Sequence, residues 1–486
     1  MTRSFTSIMA CMLTAVGAVA GNPTLKIYTG DRRTDTVYTA RQYVIAVTDP
    51  GAKASINGHE AHVYRTGSFG AEVNLHEGDN IIPVSVWANG ATNDTTVHLV
   101  LAPRPATQKA AAEETMTLPL PLAMTTKDGA YLQYGNGGDR LGGSKMGYID
   151  ADIALTAVGE TGELYKVTLG EQAYAYVPKE YVVTGGEGMK TYNTGSISVA
   201  NRGTADRVTM SLPARLPYYS YTEIDPSTIV VKLYGATNNT NWLTQRNTLG
   251  MIDYVDLRQD ESDVLSVIIH LKEKYQWGYS IAYDGTTLNI DVRHRPESIE
   301  LKNLTIGLDA GHGGQYPGAQ SPSGLTEKEV NLDIVCKMAE ILRKKGATVV
   351  MTRTDDSGPS MSERKRIWRE AGVDLAISVH NNASGNPLVP MGTSSYYKHL
   401  FCRPLAQNLH ASMLDLGLAN FGLTGNFNFS LNGPTDYPNA LVEVLFMSSL
   451  PDEEMLADPT MRTRLAEQIV RGLENYLEQV RQSLKD

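Results

Sequence analysis

Short runs of alternating apolar and polar residues, each closed by a turn signal, fill the chain as far as Pro296. Residues 26–28, 37–47 and 81–87 are rich in β-branched and aromatic side chains, which predicts strands, and Asn57-Gly58 between two such runs predicts a hairpin. The same rhythm returns at 153–158, 164–167 and 173–177, and again at 228–234, 265–271 and 288–292. Beyond Pro296 the period changes. Residues 304–308 form a short apolar run, followed by a turn in which Gly311, Gly313 and Gly314 flank His312. Apolar residues then recur at Val330, Ile334, Met338 and Ile341, the spacing of a helix over 326–345. Strand-like runs at 347–351, 375–379 and 440–446 alternate with helical patterns at 360–370, 405–416 and 459–484. Such alternation implies a mostly parallel, twisted sheet covered by helices on both faces.

Composition divides the chain further. With 486 residues it exceeds what one core supports, and 20% charged with 42% hydrophobic residues is ordinary for globular domains. Residues 103–121, rich in proline and alanine, read as a linker, and the glycine-rich stretch 184–188 as a second connection. The expected domains are therefore 21–102, 122–183, 195–296 and 302–484. A net charge of −10 with no basic block excludes a nucleic-acid partner.

Residues 1–20 have the form of a secretory signal peptide: Arg3, an uncharged apolar run over 8–19, and Ala18-Val19-Ala20 as a small-residue cleavage site. A retained membrane anchor is the alternative. Cleavage would leave a mature chain without a membrane-spanning run, secreted across the inner membrane to the periplasm or cell envelope. It would also leave only Cys336 and Cys402. Two distant cysteines do not make a disulfide scaffold. Cys336 reads as a core residue, and one bridge between the two stays open.

Four residues stand where chemistry is expected. His312 follows the 304–308 strand, Glu327 opens the first helix, His380 closes the 375–379 strand, and Glu443 lies inside the apolar run 441–446. A carboxylate in such a run is costly unless paired or functional. Two histidines and a carboxylate form the donor set of a catalytic zinc that keeps one position open for water, and a second carboxylate beside it serves as a general base. His399 is a weaker candidate, Glu329 reads as solvated or as a supporting neighbour of the ligands, and His410 as a helix-surface residue. His59, His62 and His76 read as surface histidines of strands. Tyr275, Trp277, Tyr279 and Tyr283 pack in a core or form a face that stacks on sugars, packing being the simpler reading.

Asp309-Ala-Gly-His-Gly-Gly314, Gly324-Leu-Thr-Glu-Lys-Glu-Val-Asn-Leu332, Ser378-Val-His-Asn-Asn-Ala383 and Leu441-Val-Glu-Val-Leu-Phe-Met-Ser448 resemble four motifs of the zinc-dependent N-acetylmuramoyl-L-alanine amidases. They occur in that family's order, with Met351-Thr-Arg353 also in place. The resemblance covers about residues 302–480 and implies His312, Glu327 and His380 as ligands of Zn²⁺, Glu443 as the catalytic glutamate, and peptidoglycan as substrate. Ala310, Asn381 and Leu445 depart from the pattern, and the bulkier Leu445 is expected to narrow the cleft. The stretch between His380 and Glu443 is short beside family members in which an inserted helix plugs the zinc, so an open cleft is expected. Upstream, 21–102 resembles immunoglobulin-like modules, 122–183 SH3-like barrels, and 195–296 the β-sandwich modules that precede some amidase domains. These would place the enzyme on the wall or on an envelope protein partner. Two rival readings are a zinc peptidase cutting within the stem peptide and a wall-binding scaffold without catalysis.

Overall fold

Two units make up the chain, residues 1–104 and 105–486, and the computed structural model describes residues 21–28, 35–104, 115–137 and 142–485. The expected signal peptide, and residues 105–114 of the expected linker, lie outside the described residues.

In the first unit a three-stranded and a five-stranded sheet share one core built on Val44, Ile56, Phe69, Val84, Val86 and Leu99. The pattern sets this directly. Along Gly78–Ala88 alternate residues are buried, Ile82, Val84 and Val86 facing in. Asn57 and Gly58 both have positive φ, 52° and 78°, as a two-residue hairpin turn requires.

The second unit opens with a seven-stranded antiparallel sheet whose first strand, Met116–Thr126, begins inside the segment expected to be linker. A four-stranded and a five-stranded sheet follow across residues 197–293. One continuous apolar cluster runs from Met124 to Val480, so the three spans of this unit share a core. Tyr275, Trp277 and Tyr279 are buried in it. The Tyr279 ring lies 6.3 Å from Phe401, and Tyr275 lies 6.2 Å from Tyr476. These aromatics therefore join the strand module to the C-terminal domain instead of forming a sugar platform.

That domain contains β1 (Thr305–Ala310), α1 (Glu327–Lys344), β2 (Thr348–Met351), α2 (Met361–Glu370), β3 (Leu375–Asn382), β4 (Thr393–Tyr396), α3 (Arg403–Leu414), β5 (Asn420–Thr424), β6 (Asn439–Phe446), α4 (Leu450–Ala457) and α5 (Pro459–Ser483). The sheet order is β2-β1-β3-β6-β4-β5, parallel throughout except between β4 and β6. The sheet is mixed, with its parallel part in the expected place. The chain leaves β1 toward β2 on one side and returns to β3 on the other. This reversal opens a crevice at the carboxyl ends of β1 and β3, where open α/β sheets hold ligands. On α1 the buried stripe is Val330, Ile334, Val335, Met338, Ala339 and Leu342, so Leu342 faces the core where Ile341 was expected to. Cys336 is exposed and Cys402 buried, and both are free thiols. Cys336 is no core residue because it falls outside that stripe. No helix among the described residues is long and apolar enough to cross a membrane.

Candidate metal centre

His312, Glu327 and His380 meet in the crevice between β1 and β3. Their ligating atoms all lie within 4.8 Å of one another. His312 Nε2 is 3.0 Å from Glu327 Oε2, and His380 Nδ1 is 3.0 Å from Glu327 Oε1. Donors about 2.0–2.1 Å from a tetrahedral zinc stand roughly 3.3 Å apart, so two imidazoles and a carboxylate at this spacing fit such an ion. Burial alone would raise the Glu327 carboxyl, but hydrogen bonds to His312 and His380 hold it well below the usual range. Burial would lower His380, yet bonding to Glu327, followed by the charges of Glu327 and Glu443, pushes it up to about 9. Glu327 also stands in the first turn of α1, where the helix dipole favours negative charge.

The side chain of Glu327 is 5% exposed, that of His380 19% and that of His312 33%, so the group opens to solvent on the His312 side. α3, the α-helix between His380 and Glu443, packs on α5 and the sheet. Glu443 is buried at 7% exposure and pairs in register with His380 across β3 and β6.

The turn that presents His312 is built from backbone and buried arginines. His312 has φ of 62°, a left-handed conformation that costs a non-glycine residue about 1–2 kcal/mol. Arg364 donates to the His312 carbonyl at 2.7 Å and to the Ala310 carbonyl at 2.8 Å. Arg353 donates to Ala310 and Gly311 carbonyls at 2.8 and 3.0 Å. Beneath them the fully buried Asp309 accepts from Arg364, Thr352 and Ser378. Burial would raise Asp309, and Arg364 leads the groups that keep it below its ordinary value.

A second polar network braces Glu327. Asn331 donates to the Gly311 carbonyl and to Glu327 Oε1, both at 3.2 Å. Asn381 donates to Asn331 Oδ1 at 2.8 Å, and its own Oδ1 accepts from the Leu445 amide at 3.3 Å. The strand register slips between His380 and Asn382, so the Asn381 side chain bonds β6 at the irregularity. Asp309, Asn331 and Arg353 stood inside the quoted motifs without an assigned part. The signal that finds them is a polar residue at a core-facing position.

Other expectations resolve differently. Leu445 is fully buried in the core, so it does not narrow the cleft. His410 is buried and bonded to Asn420 at 2.9 Å, a correction to its surface reading that follows from its place on the sheet-facing side of α3. His399 bonds the Gly433 carbonyl at 2.9 Å and stacks near Phe401, and burial pushes it down to about 4. Its contacts are structural. Glu329 is exposed and accepts from Thr326 at the start of α1.

Gly311 faces the His380 ring so closely that an added β-carbon would overlap it. Gly311→Ala is expected to displace His380 and lower metal affinity about 10–100-fold, as displaced supporting contacts do. Zinc retained after dialysis against graded chelator, measured by elemental analysis, checks this.

The model of the N-acetylmuramoyl-L-alanine amidase family matches residues 306–475. The chain is 34% identical over 195 residues to the probable cell wall amidase LytH of Staphylococcus aureus, a match covering 39% of this chain and 64% of that protein. The chain thus spans just under two thirds of the length of that curated relative. Among solved structures, the catalytic domain of CwlV, an N-acetylmuramoyl-L-alanine amidase from Bacillus (Paenibacillus) polymyxa var. colistinus, is 29% identical. That match covers 36% of this chain and 98% of that one, with a TM-score of 0.34. An N-acetylmuramoyl-L-alanine amidase from Clostridium difficile is 30% identical over 36% of this chain and 97% of that one, with a TM-score of 0.34. The C-terminal part of the chain carries a domain of this amidase family.

Proposed function

We propose that the chain is a zinc-dependent peptidoglycan amidase. It cuts the amide between the lactyl group of N-acetylmuramic acid and the L-alanine of the stem peptide. The observation that carries this reading is the convergence of His312, Glu327 and His380 at the reversal of strand order, with Glu443 in register beside His380. His312, Glu327 and His380 would hold the ion, which when bound polarises the scissile carbonyl and lowers the pKa of its water to roughly 7. Glu443 would take a proton from the attacking water and return it to the leaving amine. It stands buried in β6, inside an apolar strand and in register with His380. The exposed side of His312 leaves room for the glycan strand to approach.

The upstream modules, read as immunoglobulin-like, SH3-like and β-sandwich, serve to place the enzyme on the wall or on an envelope partner. Export rests on the apolar run at 8–19 and its small-residue cleavage site. Digestion of purified muropeptides tests the activity. The expected products are stem peptides with free L-alanine amino ends and muramic acid with an unsubstituted lactyl group. Shortened stems still attached to muramic acid would instead identify a peptidase.

A further inference from the structure

Three lysines gather where the strand module meets α2. Lys145 lies on the strand Lys145–Tyr148. Its Nζ stands 4.4 Å from the centre of the Tyr131 ring and 5.5 Å from that of Tyr148, and donates to the Tyr148 hydroxyl at 3.4 Å. Lys365 of α2 lies 4.9 Å from the centre of the same Tyr148 ring. Lys398 donates to the Lys145 carbonyl at 2.7 Å. The backbone here is fixed from both sides, because Asn428 accepts from the Lys145 amide at 3.3 Å and donates to the Gly143 carbonyl at 3.0 Å.

All three lysines are half-buried. Among the described residues no carboxylate oxygen lies within 4.0 Å of any of their amines. Burial, then the charge of Lys145, pushes Lys398 down to about 8. Burial would raise the Tyr148 phenol, but Lys365 and then Lys145 bring it below its ordinary value. Like charges gathered around one ring are unfavourable, and an arriving anion relieves them. Tyr148 is exposed, so that anion has access.

We propose that Lys145, Lys365 and Tyr148 form an oxyanion-binding site, for a carboxylate or a phosphate, at the junction of the strand module and α2. Two ammoniums flank the Tyr148 ring, and its hydroxyl lies beside one of them, the kind of donors that hold such groups. α2 links the site to the metal centre: Arg364 points inward to the His312 carbonyl, and Lys365 beside it points to Tyr148. Under the amidase reading, on which only the choice of source rests, a carboxylate of the stem peptide is the natural occupant.

Calorimetric titration of the full-length chain at low ionic strength tests this with three probes: inorganic phosphate, a carboxylated muramyl tripeptide, and the same tripeptide with its carboxylates amidated. Each lost charge-assisted hydrogen bond is worth about tenfold in affinity. A chain carrying both Lys145→Met and Lys365→Met is therefore expected to bind phosphate or the carboxylated peptide at least about tenfold more weakly, with Lys145→Arg and Lys365→Arg together restoring it. Loss of peptide binding on amidation assigns a carboxylate source, and phosphate binding alone assigns a phosphate source. Lys365→Gln alone, the milder change, gives the same direction of change should the double variant unfold. Equal binding of both anionic probes by native and substituted chains, or binding by neither, overturns the proposal. Product release by the native chain reports on the amidase reading separately.

Discussion

Glu443→Gln is expected to slow stem-peptide release by on the order of 10²–10⁴-fold, the range a positioned general base contributes, while zinc content stays unchanged. Glutamine has the same size and shape as the glutamate it replaces, so the packing of β6 beneath the crevice is kept. Glu443 lies on the strand beside His380 and not among the three grouped donors, so those donor atoms stay in place. What is lost is a group able to take and return a proton. The three grouped donors and the crevice are untouched by the change, so wall fragments should bind with near-native affinity even as turnover falls. The measurements are elemental analysis for zinc, sedimentation with purified wall for binding, and amine release for turnover. Near-native release by this variant would remove Glu443 from the mechanism. His380→Ala should behave differently, losing both zinc and activity.

The C-terminal domain was largely legible in the sequence because its pattern changes period where its structure does. Apolar runs of strand length alternate with stripes of helical spacing, and α1, α2 and α5 lie within one or two residues of the expected bounds. The group His312, Glu327 and His380 was legible because its members sit at strand ends and at a helix start, positions that local pattern marks. What escaped is what depends on contacts distant in sequence. The segment 360–370 reads as a basic amphipathic helix, with nothing to distinguish Arg364 from Arg366 or Arg369. Yet Arg364 is buried against Asp309, fifty-five positions earlier, while Arg366 pairs with Glu370 at the surface. The aromatic residues 275–279 have the composition of a binding face, and only the docking of two modules shows that they are interior. Asn381 departs from the family pattern, and its use becomes plain only at the slipped register between β3 and β6.

Arg364→Met is expected to be the most destabilising single change at the site. It leaves Asp309 fully buried without its guanidinium, a situation that costs about 3–5 kcal/mol. Thr352 and Ser378 still donate to Asp309, but neutral hydroxyls offset only part of a buried negative charge. The same substitution frees the His312 carbonyl, and the backbone there is then drawn away from its left-handed conformation by about 1–2 kcal/mol. The two effects separate by design. Adding Asp309→Asn to Arg364→Met removes both charges and should recover a large part of the stability, read as the denaturant midpoint, without recovering zinc affinity. Arg364→Lys keeps a positive charge beside Asp309 but offers no planar fork to reach the Ala310 and His312 carbonyls together. It should therefore hold stability better than methionine does, and still weaken zinc by about tenfold or more, since the candidate donor it no longer orients is His312. If Arg364→Lys restored zinc affinity fully, charge alone would explain the arginine, and the clamp on the His312 backbone would carry no weight. If it restored neither property, the hydrogen bonds to the two carbonyls would be the larger contribution to the fold as well as to the metal.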